Sequence, residues 1–231
     1  MDIHALIPLI AGIAYIPLFV VLLANRPWQR QQSFFFLFLI PAFLWSLTDF
    51  LGRSDVFQDK LLAAKVVICI AIWAGIQLHY FLRSFYSLNV LWSQRIKIPL
   101  AYILVISTVA LAAMGYIPQG MTGVHIAYGN WCMLIVFLLL ALGSKDIYSL
   151  MRKHSISTDV VGRNQIVYLF IGVGILIVFN LASFVPHGGE FPMGHIGNLG
   201  MACILTYAIV VHHLLDVRVA LRRALMYLGI Y

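Results

Sequence analysis

Seven stretches of the chain, at 3–24, 33–51, 61–82, 98–117, 128–150, 166–185 and 196–215, are almost continuously apolar. Each is about the length an α-helix needs to cross the hydrocarbon core of a bilayer, roughly 20 residues. Membrane strands would be shorter and would alternate apolar with polar positions. The run Phe34-Phe35-Phe36-Leu37-Phe38-Leu39-Ile40 does not alternate and is apolar on every side of a helix. The composition agrees, because only 10% of the 231 residues are charged, against roughly a quarter in soluble domains. A water-soluble core could not hide so much apolar surface.

The basic residues set the expected direction of threading. Twelve of the 15 Lys and Arg fall in alternate connections on one side: Arg26, Arg30, Arg83, Arg95, Lys97, Lys145, Arg152, Lys153, Arg163, Arg218, Arg222 and Arg223. Arg53, Lys60 and Lys65 fall on the other. Cytoplasmic loops collect Lys and Arg, so the sequence predicts an all-α, polytopic seven-transmembrane helix bundle with the N-terminus outside and the C-terminus inside. The net charge of +7 is thereby read as a topology signal, and no nucleic-acid partner is expected. The first run is preceded only by Asp2 and lacks a basic leader and a clear cleavage site, so it is read as a retained span. Pro8, Pro17 and Pro41 lie inside spans and read as kinks, whose freed carbonyls neighbouring groups can satisfy. Two segments follow: a transmembrane domain over 1–217 and a basic juxtamembrane segment over 218–231.

Polar groups inside a membrane are costly, which makes each a functional candidate. Asp49, Lys65, Tyr128, Asn130, Trp131, Asn180, Ser183 and Asn198 all fall toward the outer ends of their helices. The loop Pro186-His187-Gly188-Gly189-Glu190-Phe191-Pro192-Met193-Gly194-His195 adjoins them. Asp49, Lys65, Trp131, Asn180, His187, His195 and Asn198 therefore form the expected ligand-binding set, with Asp49 and Lys65 placed to pair between the second and third helices. The same residues are also open to a structural reading, as interfacial aromatic belts and as interhelical hydrogen-bonding groups. Gln77 and His79 sit toward the inner end of the third span and His212 and His213 at the inner end of the seventh.

Metal and cofactor readings find little support. His79 with His212 or His213 could ligate haem, and His125, His187 and His195 could hold zinc, but no spacing signature accompanies them, so no cofactor is expected. A retinal Schiff base needs a lysine in mid-membrane, yet Lys60, Lys65, Lys97, Lys145 and Lys153 all lie outside the sixth and seventh spans. The chain contains neither HExxH nor GxSxG. Cys69, Cys132 and Cys203 each sit in an apolar run, and an odd number in such surroundings argues against a disulfide framework. Gly194, Gly197 and Gly200 form a ladder at the start of the seventh span, of the kind that lets helices approach closely.

The last third carries a pattern: Arg163-Asn164-Gln165, the Gly/His/Pro-rich loop, Gly194-His195-Ile196-Gly197, Tyr207-Ala208-Ile209, then His212-His213-Leu214-Leu215-Asp216-Val217-Arg218-Val219-Ala220-Leu221-Arg222-Arg223. It resembles the N-terminal seven-transmembrane sensor region of bacterial histidine kinases and related signalling proteins. In that family the seventh helix runs into a Leu-Leu-Asp-Ile-Arg segment and a basic helix, and Leu214-Leu215-Asp216-Val217-Arg218 is similar, with Val in place of Ile. Trp45 and His79-Tyr80-Phe81 also look similar. The resemblance implies a multi-pass protein of the bacterial cytoplasmic membrane that detects a ligand or membrane cue. It further implies a cytoplasmic signalling module as partner, with a second copy of the chain as another candidate. His212, Asp216, Arg218, Arg222 and Arg223 would relay the signal. The 231 residues show no ATP-binding or phosphoacceptor module, so the chain itself is not expected to be an enzyme. It would be either the sensor part of a longer kinase or a relative acting through a partner. The rival expectation is a small transporter, or an anchoring or cofactor-binding subunit of a membrane complex.

Overall fold

The computed structural model describes residues 3–24, 30–54, 59–86, 94–122, 125–157, 160–182 and 193–212. Among them are seven α-helices and one hairpin: α1 (Ile3–Ala24), α2 (Arg30–Arg53), α3 (Lys60–Tyr86), α4 (Gln94–Ala113), β1 (Gly120–Thr122), β2 (His125–Ala127), α5 (Gly129–Ile156), α6 (Val160–Ala182) and α7 (Met193–His212). Five of these helices, over Ala5–Leu23, Gln32–Arg53, Lys60–Tyr86, Gly129–Ile156 and Gly162–Ala182, are long and apolar enough to cross a membrane. The others carry shorter apolar runs, Ala101–Ala113 and Met193–Leu205. Apolar side chains also cover the outside of the bundle: Ile13, Val20, Ile106, Phe137 and Val178 are all exposed. Water would tolerate no such coat, and these features together mark a multi-pass membrane protein.

Contacts between named side chains define how the helices run. α1 and α2 are antiparallel, with Phe19 edge-on to Phe36 and Phe43 at 5.7 and 6.1 Å. α2 and α3 are antiparallel too, since Phe35 and Phe38 meet Phe81 at one end and Gly52 meets Ala63 at the other. Tyr15, Leu18, Phe35, Phe38, Leu39, Phe81, Leu169, Met201 and Leu205 fill one buried cluster that joins α1, α2, α3, α6 and α7. α5 lies against α3 and runs parallel to it, pairing 79 with 146 and 85 with 153 along their lengths. A smaller cluster, Ile72, Ile117, Cys132 and Ile135, fills the space near the start of α5.

Lipid is as apolar as leucine, so close packing has to hold these helices together. The α6–α7 contact shows how. A Cβ on Gly197 would lie 2.8 Å from the Phe179 Cβ, and one on Gly200 would lie 3.0 Å from Ile175 Cγ2. The glycine ladder serves this approach.

Two segments differ from the sequence expectation. The fourth helix stops at Ala113 rather than at 117. Gly115 takes φ +82°, Tyr116 N–H donates to the Leu111 carbonyl at 2.9 Å and Gly115 N–H donates to Ala112 at 3.2 Å. This is a Schellman cap, which satisfies the last carbonyls and turns the chain out of the helix. The chain then forms the β1–β2 hairpin, in which Met121 pairs with Ile126. The expectation assigned no element to this connection; the hairpin of two three-residue strands lies within it and leaves the helical class unchanged. At the opposite ends, α3 and α5 continue to Tyr86 and Ile156, past the expected limits of 82 and 150.

Candidate functional site

Two polar clusters lie at opposite ends of the bundle. The first joins the C-terminal turn of α2 to the first turn of α7. Asp49 and Arg53 are one helical turn apart, and Arg53 Nε donates to Asp49 Oδ2 at 2.8 Å. His195 Nε2 lies 2.9 Å from the same oxygen. On its other side, His195 Nδ1 lies 3.3 Å from Ser46 Oγ. Trp45 packs its ring 5.1 Å from the imidazole.

Local structure explains the convergence. Residues 45, 46, 49 and 53 share one face of α2, by the 3–4 residue spacing of a helix. Gly194 opens α7 and leaves room for that face, because a Cβ there would sit 3.3 Å from the Trp45 ring and 3.2 Å from Asn180 Oδ1. Asp49 also lies against the N-terminus of α7, where the helix dipole favours an anion.

The geometry accepts either protonation state of His195. With Nε2–H donating to Asp49, a neutral ring accepts at Nδ1 from the Ser46 hydroxyl. A charged ring donates from Nδ1 to the Ser46 oxygen instead, since a hydroxyl can do both. His195 is only 4% exposed, so Asp49 and Ser46, rather than water, hold its two ring nitrogens.

Of the expected ligand-binding set, Asp49, His195 and Asn180 meet here. Asn180 donates through Nδ2 to the Leu176 carbonyl of its own helix at 2.8 Å, with its oxygen toward Gly194. Asn198 lies one turn further along α7 and is 2% exposed. Its Nδ2 has no hydrogen-bond partner among the described residues. The fully buried Tyr15 hydroxyl of α1 is likewise unpartnered among them. Gly12 of α1 faces Ser46, α1 packs on α7, and Tyr15 is three residues beyond Gly12 just as Asn198 is three beyond His195. Two unsatisfied polar groups thus occur on neighbouring helices, each about 4.5 Å along its axis from the Ser46–His195 contact.

Lys65 and Trp131 do not join the cluster. The expected Asp49–Lys65 pair does not form: Asp49 is engaged by Arg53 and His195, which reach the same oxygen from closer positions. Trp131 is 46% exposed, as suits an aromatic at a membrane boundary. Tyr128, just before α5, feels the cluster from a third side. Its phenol lies within electrostatic reach of the Asp49 carboxylate and the Arg53 guanidinium. His187 and Ser183 lie outside the described residues, as do His213, Asp216, Arg218, Arg222, Arg223 and the division at 217/218; the same holds for the side chain of His212.

Of the second cluster, the sequence reading singled out Gln77 and His79 but not Asp146, Tyr86 or Lys153. Asp146 of α5 is fully buried. Its Oδ2 lies 2.7 Å from His79 Nδ1, and its Oδ1 accepts from the Tyr86 hydroxyl at 2.8 Å. Lys153 Nζ donates to the Phe85 carbonyl, and Gln77 of α3 donates to the Tyr102 hydroxyl of α4. Asp146 sits beside Lys145 near the end of an apolar run, which reads as a solvated helix end. The signal that would have found it is its spacing: 132, 135, 146 and 150 fall on one face, and all four are buried. Among the described residues, no three His, Cys, Asp or Glu converge as metal ligands.

Compared with known protein families, curated proteins and solved structures, the chain matches none. The fold and its clusters define a multi-pass helical membrane protein with two polar centres between its helices.

Proposed function

We propose that this chain is a sensory domain of a bacterial cytoplasmic membrane, crossing it seven times with its N-terminus outside and its C-terminus inside. One observation carries the reading: the partly buried His195–Asp49–Arg53 group links the last turn of α2 to the first turn of α7. The outward-facing end of α7 is then held by contacts that a proton or a polar ligand can alter. Its other end leads into Asp216, Arg218, Arg222 and Arg223, which would pass the change to a cytoplasmic signalling module. The segregation of basic residues supports the orientation. A cue acts only through its differential affinity for two helix arrangements, and about 1.4 kcal/mol of difference shifts their ratio tenfold.

The test uses the full chain in lipid nanodiscs, with spin labels at the exposed Cys203 and at an introduced cysteine replacing the exposed Tyr148. Distances are measured across a pH series and a panel of small polar ligands. A shift in the native chain that is lost in Asp49→Leu and His195→Leu, with helix content retained, supports the reading. A distance that responds identically in the variants overturns it.

A transporter reading is favoured by one specific observation, the second carboxylate–histidine pair, His79–Asp146, at the other end of the bundle. Intramembrane ionisable groups mark ion and proton paths. Proton uptake into liposomes containing the chain, abolished by Asp146→Asn, would replace the sensor reading with this one.

A further inference from the structure

The far ends of α3 and α5 enclose a cleft of about 510 Å³, lined by Tyr86, Tyr148, Ser149, Arg152, Lys153, Ile156 and Ser157. The geometry points to a binding site for a phosphate-bearing anion, either the headgroup of an anionic phospholipid or a soluble phosphate. The inference does not depend on the sensor reading, only on the chain lying in a bilayer.

Position comes first. α3 has 27 residues and α5 has 28, so each is about 40 Å long at 1.5 Å per residue. The hydrocarbon core is about 30 Å thick. These two parallel helices therefore project past the core, and the cleft at their shared end falls at headgroup depth.

Chemistry comes second. Arg152 and Lys153 converge on the cleft with the hydroxyl of Ser157. Arg152 makes no hydrogen bond or ion pair among the described residues, and its guanidinium can grip two phosphate oxygens at once. Lys153 gives one N–H to the Phe85 carbonyl and keeps others to donate. The Ser149 hydroxyl is already spent on the Lys145 carbonyl at 2.8 Å, so it is a wall rather than a donor. Among the described residues, buried Asp146 is not free to compete for these cations: its two oxygens are taken by His79 and by Tyr86. Tyr148 and Ile156, both well exposed, supply apolar flanks suited to the first carbons of an acyl chain.

Cations in the last turn of a helix are common because the dipole favours them. What sets this pair apart is the concave wall around it, of a volume usual for small-ligand sites. Tyr86 also forms part of that wall while its hydroxyl reaches Asp146, so an occupant would rest directly on the buried α3–α5 network.

The test is native mass spectrometry of the full chain, with phosphatidylglycerol, phosphatidylcholine and inorganic phosphate as probes. Arg152→Gln removes a cation whose side chain bonds nothing else among the described residues. Arg163→Gln removes one exposed cation from the start of α6 and serves as the control for bulk charge. Arg152→Gln should weaken phosphatidylglycerol retention about tenfold or more, as expected for loss of a charge-assisted hydrogen bond, with a clearly smaller effect of Arg163→Gln and no change for phosphatidylcholine. Displacement of phosphatidylglycerol by inorganic phosphate would also support the site. Phosphate binding lost in Arg152→Gln, without any lipid preference, would support it with a soluble occupant. Equal loss in both variants, or no loss in either, would overturn it.

Discussion

Replacing Asp146 by leucine tests whether the buried α3–α5 network holds the bundle together. The carboxylate accepts two hydrogen bonds, at 2.7 Å from His79 and 2.8 Å from Tyr86. Leucine fills much of the volume but strands both donors. In a water-soluble core, hydrogen bonds to a charged group contribute about 1.5–3 kcal/mol each, and the pair would be worth about 3–6 kcal/mol. Within a bilayer the measured value averages about 0.6 and reaches about 1.7 kcal/mol per bond, because a helix out of place still finds partners. The membrane value governs here, since a displaced α3 keeps both donors within reach of other polar groups. The expected loss is therefore about 1–3 kcal/mol for Asp146→Leu. Asp146→Asn, which keeps one acceptor oxygen, should lose less. The assay is reversible unfolding of the detergent-solubilised chain in increasing denaturing surfactant, followed by circular dichroism. A cycle with His79→Phe isolates the pair. Asp146→Leu within 0.5 kcal/mol of native, or strict additivity of the two variants, would refute the network as a stabilising element.

Other expectations follow from packing and topology. Gly197→Ala puts a methyl 2.8 Å from the Phe179 Cβ and should lower stability by about 1–3 kcal/mol. Gly174→Ala, with open space around it, should show no such loss in the same unfolding assay. Gly115→Ala meets no atom within 4 Å but must hold φ +82°, so it should cost about 1–2 kcal/mol through the backbone alone, seen as a lower midpoint. Tags at the two ends of the chain should be reached by an impermeant reagent from opposite faces of the cell; labelling from one face would remove the seven-crossing map.

The apolar runs and their separation by basic connections were enough to place the helices, because burial in lipid is a property of local composition. Where α1 starts and stops could be read from composition alone. The end of α4 could not, since a Schellman cap depends on Gly115 adopting a left-handed conformation rather than on apolarity. The hairpin after it has three-residue strands, too short to show a period. Asp49, His195, Asn180 and Asn198 were legible as polar residues at one depth, because depth follows from residue count.

Which of those residues touch is a different matter. Lys65 and Trp131 share the same depth but lie on other faces, and only helix rotation and neighbour order turn Asp49 toward His195 and away from Lys65. The same holds more sharply for Asp146. Nothing in its local sequence marks it as buried, while the pairing of α5 with α3 buries it against His79 and Tyr86. Composition determines that a segment enters lipid. Only the packed bundle determines which partner meets a buried charge, because that partner comes from a helix 67 residues away in the chain.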